Sequence, residues 1–293
     1  MQNNNSTLHH NILPAFPERD RSIGRLLLQL GKITPADSEK ILLAQQESGL
    51  RFGDAALRLG LIKESDIRQV LALQFNYPYL QAGEGNYSAE LVAAYQPFSP
   101  QVEALRALRS QLMMRWFSEG FKTLSIVSVH AGEGCSYLAA NLAIVFSQLG
   151  ERTLLVDANL REPRQHTIFN LKEKHGLSDI IAGRAGLDII TQVESFVDLS
   201  VLGAGTIPPN PQELLNRASF TEFMNQVIDQ YDVVLFDTTP AMVSADAQAT
   251  VARCGGALLV SRLNHTRLSD LTEVRDQISV TGAKVVGAVI NEF

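Results

Sequence analysis

The sequence predicts an α/β fold, a parallel sheet with helices on both faces, preceded by a small helical tandem-repeat domain. Three observations carry that prediction. Five short apolar runs, "TLSIVSV", "TLLVDAN", "VVLFDTT", "GALLVSR" and "AKVVGAVIN", alternate with helical patterns, which is how strands buried on both faces of a parallel sheet read. The first run leads through a glycine-containing turn, "HAGEGCS", straight into an apolar helix. Near the amino end, "SIGRLLLQLGKITPADSEKILLAQ" (22–45) lies over "RFGDAALRLGLIKESDIRQVLALQ" (51–74) at an offset of 29 residues.

Composition narrows the functional classes. The chain has 293 residues, 45% of them hydrophobic and 19% charged, an ordinary globular balance. A net charge of -6 supplies no global basic field, so nucleic acid is not expected as a partner. The two cysteines, Cys135 and Cys254, fit neither a disulfide framework nor a metal cluster, which points to a reducing compartment. The cytoplasm is therefore expected. Residues 1–21 have no apolar core for export and are expected to be disordered, and no run of about 18 apolar residues spans a bilayer. Membrane association is expected through a partner, without direct insertion.

Residues 22–80 read as the repeat domain. Each unit is a short helix ended by glycine, then a second helix; Thr34 followed by Pro35 is a cap and first-turn pair. Gly24 matches Gly53, Gly31 matches Gly60, and Gln45 matches Gln74. The ordinary reading is the core of a small helical bundle that docks another protein. The repeat also resembles the amino-terminal domain of type II secretion and pilus assembly ATPases, whose tandem motifs bind cyclic di-GMP. That resemblance implies a cyclic di-GMP site from Gly24, Gly31, Gln45, Arg51, Gly53, Gly60 and Gln74. The motif's opening Arg-Leu-Gly is present as Arg51, Phe52, Gly53 but replaced by Ser22, Ile23, Gly24 in the first unit, with Arg21 one position early.

Residues 81–99 lose periodicity and gather Gly, Pro and Ser, a linker signature. Ser99 and Pro100 open the next helix and the domain 100–293. In "HAGEGCS", Gly132 and Gly134 let backbone N–H groups converge on an anion at the positive end of the following helix, and Ser136 matches a hydroxyl that holds Mg2+ beside a phosphate. Asp157 and Asp237 end the second and third runs, where carboxylates hold a hard cation directly or through water.

From about residue 100 onward the chain resembles bacterial tyrosine kinases of the polysaccharide co-polymerase type, within the MinD and ParA class of P-loop ATPases. The matching elements are "SVHAGEGCS", "LLVDANLREP", "GLSDIIAGR", "GTIPPNPQELL" and "VVLFDTTP". With the repeat domain, the layout resembles EpsG-type chain-length determinant kinases of exopolysaccharide systems. The resemblance implies ATP or ADP with Mg2+ as cofactor, contacted by Gly132, Glu133, Gly134, Cys135, Ser136, Tyr137 and Arg161. It implies Asp157 and Asp237 as catalytic residues, and Ser136, Asp157 and Asp237 around the metal. It implies a membrane-spanning polysaccharide co-polymerase as partner, and a homo-oligomer assembled through Glu103, Arg106 and Arg109, which share one helical face.

The departures bear on activity. Cys135 replaces the phosphate-binding lysine, His130 replaces the additional signature lysine, and residues 123–151 contain no Lys or Arg before Arg152. Asn159 replaces the second aspartate of Asp-x-Asp, and an amide cannot accept a proton as a base. Tyr77, Tyr79, Tyr87, Tyr95, Tyr137 and Tyr231 are the tyrosines, none in the carboxyl-terminal cluster such kinases carry. The expected function is thus a kinase-like module of exopolysaccharide synthesis and chain-length control with a degenerate ATP site. An active tyrosine kinase is the alternative, and a MinD-type positioning ATPase a further one. Cys135 at a helix amino terminus also raises the idea of a low-pKa redox thiol, against a small residue filling the loop.

Overall fold

The computed structural model describes residues 22–74, 79–80 and 83–293, so the segment 1–21 lies outside the described residues. The chain divides into two compact units, Met1–Tyr77 and Pro78–Phe293.

The first unit holds α1 (Ile23–Gln29), α2 (Pro35–Ser48), α3 (Phe52–Arg58) and α4 (Glu64–Gln74). The steps from Ile23 to Phe52 and from Pro35 to Glu64 are both 29 residues, the period of the sequence repeat. Gly31 and Gly60 both take left-handed backbone, φ 65° and 67°, a conformation glycine adopts without steric penalty. Thr34 caps α2 through a reciprocal bond pair with Asp37, and Asp66 takes the Lys63 N–H at the equivalent corner (2.9 Å). Leu26, Leu27, Ile33, Ile41, Ala55, Ala56, Ile62 and Val70 form the core. Gly24 and Gly53 serve packing, because added Cβ atoms would come within 3.0 Å of the Phe52 ring and 3.1 Å of Ile67, respectively.

The second unit runs α5 (Val92–Tyr95), α6 (Pro100–Arg115), β1 (Thr123–Ser128), α7 (Cys135–Ser147), β2 (Thr153–Asp157), α8 (Gln165–Ile168), α9 (Leu177–Ile181), β3 (Thr191–Gln192) and β4 (Leu199–Leu202). It continues through α10 (Pro211–Leu215), α11 (Ala218–Gln230), β5 (Val233–Asp237), α12 (Asp246–Cys254), β6 (Gly256–Arg262), α13 (Leu268–Val280) and β7 (Lys284–Asn291). The sheet order is β3-β4-β2-β5-β1-β6-β7, parallel throughout except where β3 meets β4. Alternate strand residues enter opposite layers. Leu124, Ile126, Leu155 and Leu235 pack toward α7 and α6, whereas Leu154, Val156, Val234 and Phe236 pack with Phe220, Phe223 and Met224 of α11. All five apolar runs are strands, and β3 and β4 are additions that the sequence pattern did not mark.

The stretch 81–99 is not a spacer over its described residues. Leu91, Val92, Ala93 and Ala94 are buried in the main core. Asn141 of α7, itself fully buried, accepts the Ala93 N–H (2.9 Å) and donates to the Glu90 carbonyl (2.9 Å). The segment is a strap over α7; α5 is a single turn, too short to register as periodicity.

Candidate functional site

The parallel arrangement brings the carboxyl ends of β1, β2 and β5 to one edge, where ligands of such sheets bind. β1 continues into the glycine turn. Gly132 and Gly134 have φ of 76° and 87°, and among the described residues their N–H groups meet no acceptor within the chain. The turn is held from outside. Buried Glu133 accepts the N–H groups of Val129 (2.8 Å) and His130 (2.9 Å) and the Thr266 hydroxyl, while Asn291 donates to the Glu133 carbonyl (2.8 Å). A Cβ on Gly134 would lie 2.7 Å from the Asn291 amide. The loop therefore keeps its shape by Glu133's local bonds together with the contacts from Thr266 and Asn291.

Its charge is different. Cys135 is buried, with Sγ 3.2 Å from the Ile126 carbonyl, turned into the fold. Burial first, then the Asp237 carboxylate, push its thiol well above the ordinary value, which removes the reactive-thiolate idea. His130 faces Asp270, 3.0 Å away. Arg161 is committed elsewhere: its Nε meets Asp246 Oδ2 at 2.6 Å and its Nη2 meets Oδ1 at 3.2 Å.

Asp157 and Asp237 are register partners on β2 and β5, and neither exposes any surface. Asp157 accepts the backbone N–H groups of Asn159 (3.2 Å), Arg164 (2.9 Å) and Gln165 (2.9 Å), so it shapes the loop after β2. Asp237 Oδ2 accepts from Gln165 Nε2 (2.8 Å). Burial, and for Asp157 the neighbouring Asp237 charge, push both carboxyls above the usual range, against the opposing hydrogen bonds. Asp237 Oδ1 is buried with no hydrogen-bond partner. An orphaned carboxylate oxygen beside a second buried carboxylate fits a hard divalent cation, with the buried Ser136 at the start of α7 as a third oxygen source. When bound, such a cation supplies charge neutralisation for phosphate; Asp157, Asp237 and Ser136 are the residues that would hold it.

Asn159 serves as an uncharged acceptor, taking the Thr239 hydroxyl (3.1 Å) and the Glu162 N–H (3.1 Å). Tyr137 is partly buried against the main core. Glu103, Arg106 and Arg109 lie on α6, outside the glycine turn and the carboxylate pair. Arg106 donates to Glu103 (2.9 Å) and the Pro97 carbonyl (2.6 Å), and Arg109 to the Val145 carbonyl (2.7 Å). The cyclic di-GMP candidates Gly24, Gly31, Gln45, Arg51, Gly53, Gly60 and Gln74 all belong to the first unit. Sequence reasoning missed Gln165 and the clamp from Thr266 and Asn291, which no local motif signals.

Two of the quoted motifs prove to be one structure. Asp179 of "GLSDIIAGR" accepts the Thr206 N–H (3.0 Å) and hydroxyl (3.0 Å) from "GTIPPNPQELL", and Arg184 Nη2 at 2.7 Å. Burial raises its pKa, but the bonds from Thr206, Arg184 and Gly176 win and hold it at about 2.

Comparison with known proteins identifies the family and the fold. Residues 121–277 match the family model described as cellulose biosynthesis protein BcsQ. The tyrosine-protein kinase YwqD of Bacillus subtilis is 34% identical over 201 residues, covering 69% of this chain and 85% of that protein. The chain belongs to the bacterial tyrosine kinase family. The solved kinase domain of Escherichia coli tyrosine kinase ETK shares 30% identity with a TM-score of 0.66, over 69% of this chain and 79% of that one. The septum site-determining protein MinD of Pyrococcus horikoshii, solved with Mg-ADP, shares the P-loop fold at 23% identity and a TM-score of 0.52, over 58% of this chain and 70% of that one. Among the described residues of this family member, no helix is long and apolar enough to cross a membrane.

Proposed function

We propose that this family member is a cytosolic, kinase-like regulatory module of exopolysaccharide synthesis and chain-length control, with an ATP site weakened on its phosphate side. The observation that carries the reading is Cys135, whose side chain turns toward the Ile126 carbonyl (3.2 Å) where the family places its lysine. Arg161, the nearest sequence candidate for a substitute, has its guanidinium on Asp246. A charge-assisted hydrogen bond contributes roughly 1.5 to 3 kcal/mol, about 10- to 150-fold in affinity. Backbone amides, Ser136 and a cation are left to hold the nucleotide.

Calorimetric titration of Mg-ATP and Mg-ADP into wild type and Cys135→Lys tests this. Weak binding by wild type and tight binding by the lysine variant support the reading; tight binding and turnover by wild type overturn it. The retained Asp157, Asp237 and Ser136 favour a second reading, an active tyrosine kinase, which phosphate transfer to tyrosine by wild type would establish.

The proposed setting is peripheral to the inner membrane through a membrane-spanning co-polymerase, in a homo-oligomer formed over the α6 face of Glu103, Arg106 and Arg109. Light scattering with and without that partner reads the assembly. Cyclic di-GMP is the proposed ligand of the repeat unit, supported by the exposed Arg51; titration of wild type and Arg51→Ala checks it.

A further inference from the structure

Gln165 plays no part in the proposed nucleotide chemistry, yet it is buried completely at the centre of the site. Its Nε2 donates to Asp237 Oδ2 (2.8 Å) and to the Ser136 carbonyl (3.1 Å), and its backbone N–H donates to Asp157 Oδ2 (2.9 Å). No other residue touches both carboxylates and the first turn of α7 among the hydrogen bonds of the described residues. The orientation of the amide is fixed by chemistry. The Ser136 carbonyl can only accept, so the nitrogen must face it, and both of its hydrogens are then in use.

Oε1 is left buried with no donor, and Asp237 Oδ1 is in the same condition. Buried polar atoms are rarely left unmet. Here both orphans are acceptors, on side chains already joined at 2.8 Å. Two acceptors need a guest that brings positive charge or hydrogens, and an amide oxygen suits a hard cation or its bound water.

We propose that Gln165 is a positioning residue of the cation site: Nε2 sets the Asp237 carboxylate and the turn carrying Ser136, and Oε1 accepts hydrogen bonds from the cation's water shell. The inference rests on the cation-binding half of the proposed function. It assigns to Gln165 the role that outer-shell partners have at metal sites, where their loss weakens metal affinity by roughly 10- to 100-fold.

The test uses the full chain with Mn2+ as the probe, free Mn2+ being read by its paramagnetic resonance signal, and thermal melting with Mn2+ or chelator. Gln165→Met keeps length and removes donors and acceptor; its Mn2+ affinity is expected to fall about 10-fold or more. Gln165→Glu turns an oxygen toward Asp237 and Ser136. It is expected to melt below wild type in chelator and to recover more than wild type on adding Mn2+. If Gln165→Met does not fold, this difference in Mn2+ response decides the matter. Equal losses of melting temperature with and without Mn2+, at unchanged affinity, would reduce Gln165 to a packing role and overturn the inference alone. Absence of Mn2+ uptake by wild type overturns the cation reading of the site, and this inference with it.

Discussion

The two sides of the sheet edge have kept different things. The side built by Asp157, Asp237 and Gln165 has its carboxyl groups and their bonds in place, whereas the side built by residues 130–136 has the shape of a phosphate loop without a lysine. The reason lies in what each residue does for the fold. Asp157 gathers three backbone N–H groups, so replacing it would leave the loop after β2 without its acceptor. The turn's conformation depends instead on Glu133, Thr266 and Asn291. A lysine at position 135 contributes to ligand binding and nothing to that scaffold, so its loss leaves the fold intact.

The largest expected effect comes from placing a lysine in the glycine turn. Cys135→Lys should raise Mg-ATP affinity about 10- to 150-fold. An unchanged affinity, measured calorimetrically, would mean that charge is not what separates the two sides.

Asp179 supplies the contrast with the cation side, since it is a buried carboxylate whose bonds outweigh burial. Its folded pKa of about 2 lies below the ordinary aspartate value of 3.8, so its stabilisation is present above about pH 4 and is lost as pH falls through about 2. The difference corresponds to about 2 kcal/mol. Asp179→Asn should lower stability in urea at neutral pH by that amount and flatten the acid dependence below pH 4.

Gly134→Ala tests whether the turn's shape is structural. A left-handed non-glycine residue costs about 1 to 2 kcal/mol, and the added methyl would meet the Asn291 amide at 2.7 Å. The melting temperature should fall with no nucleotide present. If only nucleotide binding changes, the loop's shape is set by ligand rather than by fold.

The smallest effect has the opposite sign. Asp157 and Asp237 have raised pKa values, so without cation the folded chain binds protons more readily than the unfolded one. The chelated protein should gain stability as pH falls from neutral through those raised values. Asp237→Asn should stabilise the chelated protein and abolish the gain on adding Mg2+. A loss of stability in chelator would show that the carboxylate pair is held by bonds stronger than its repulsion.

The sequence announced whatever is local. Five strands were legible as apolar runs, the repeat as a 29-residue offset, and the left-handed Gly132 and Gly134 as glycines before a helix. What depended on distant pairing was not legible. Strands β3 and β4, of two and four residues, are too short to show a period. Asp246, the partner of Arg161, lies 85 residues away. Gln165 sits in no motif; a buried glutamine becomes visible only when β2 and β5 stand side by side. The strap was misread because its punctuation is that of a linker, while its anchor, Asn141, lies 48 residues downstream of Ala93.

The strap also dictates where the molecule can be cut. An α/β fragment begun at Pro100, where the sequence places its first helix, would strip the Ala93 N–H and the Glu90 carbonyl from a fully buried asparagine. It would uncover the core beneath Leu91 as well. The compact unit begins at Pro78, and a protease acting on the native chain will find residues 91–94 closed to it. Within this unit the segment is lashed through Ala93 and Glu90 to the very helix that starts at Cys135.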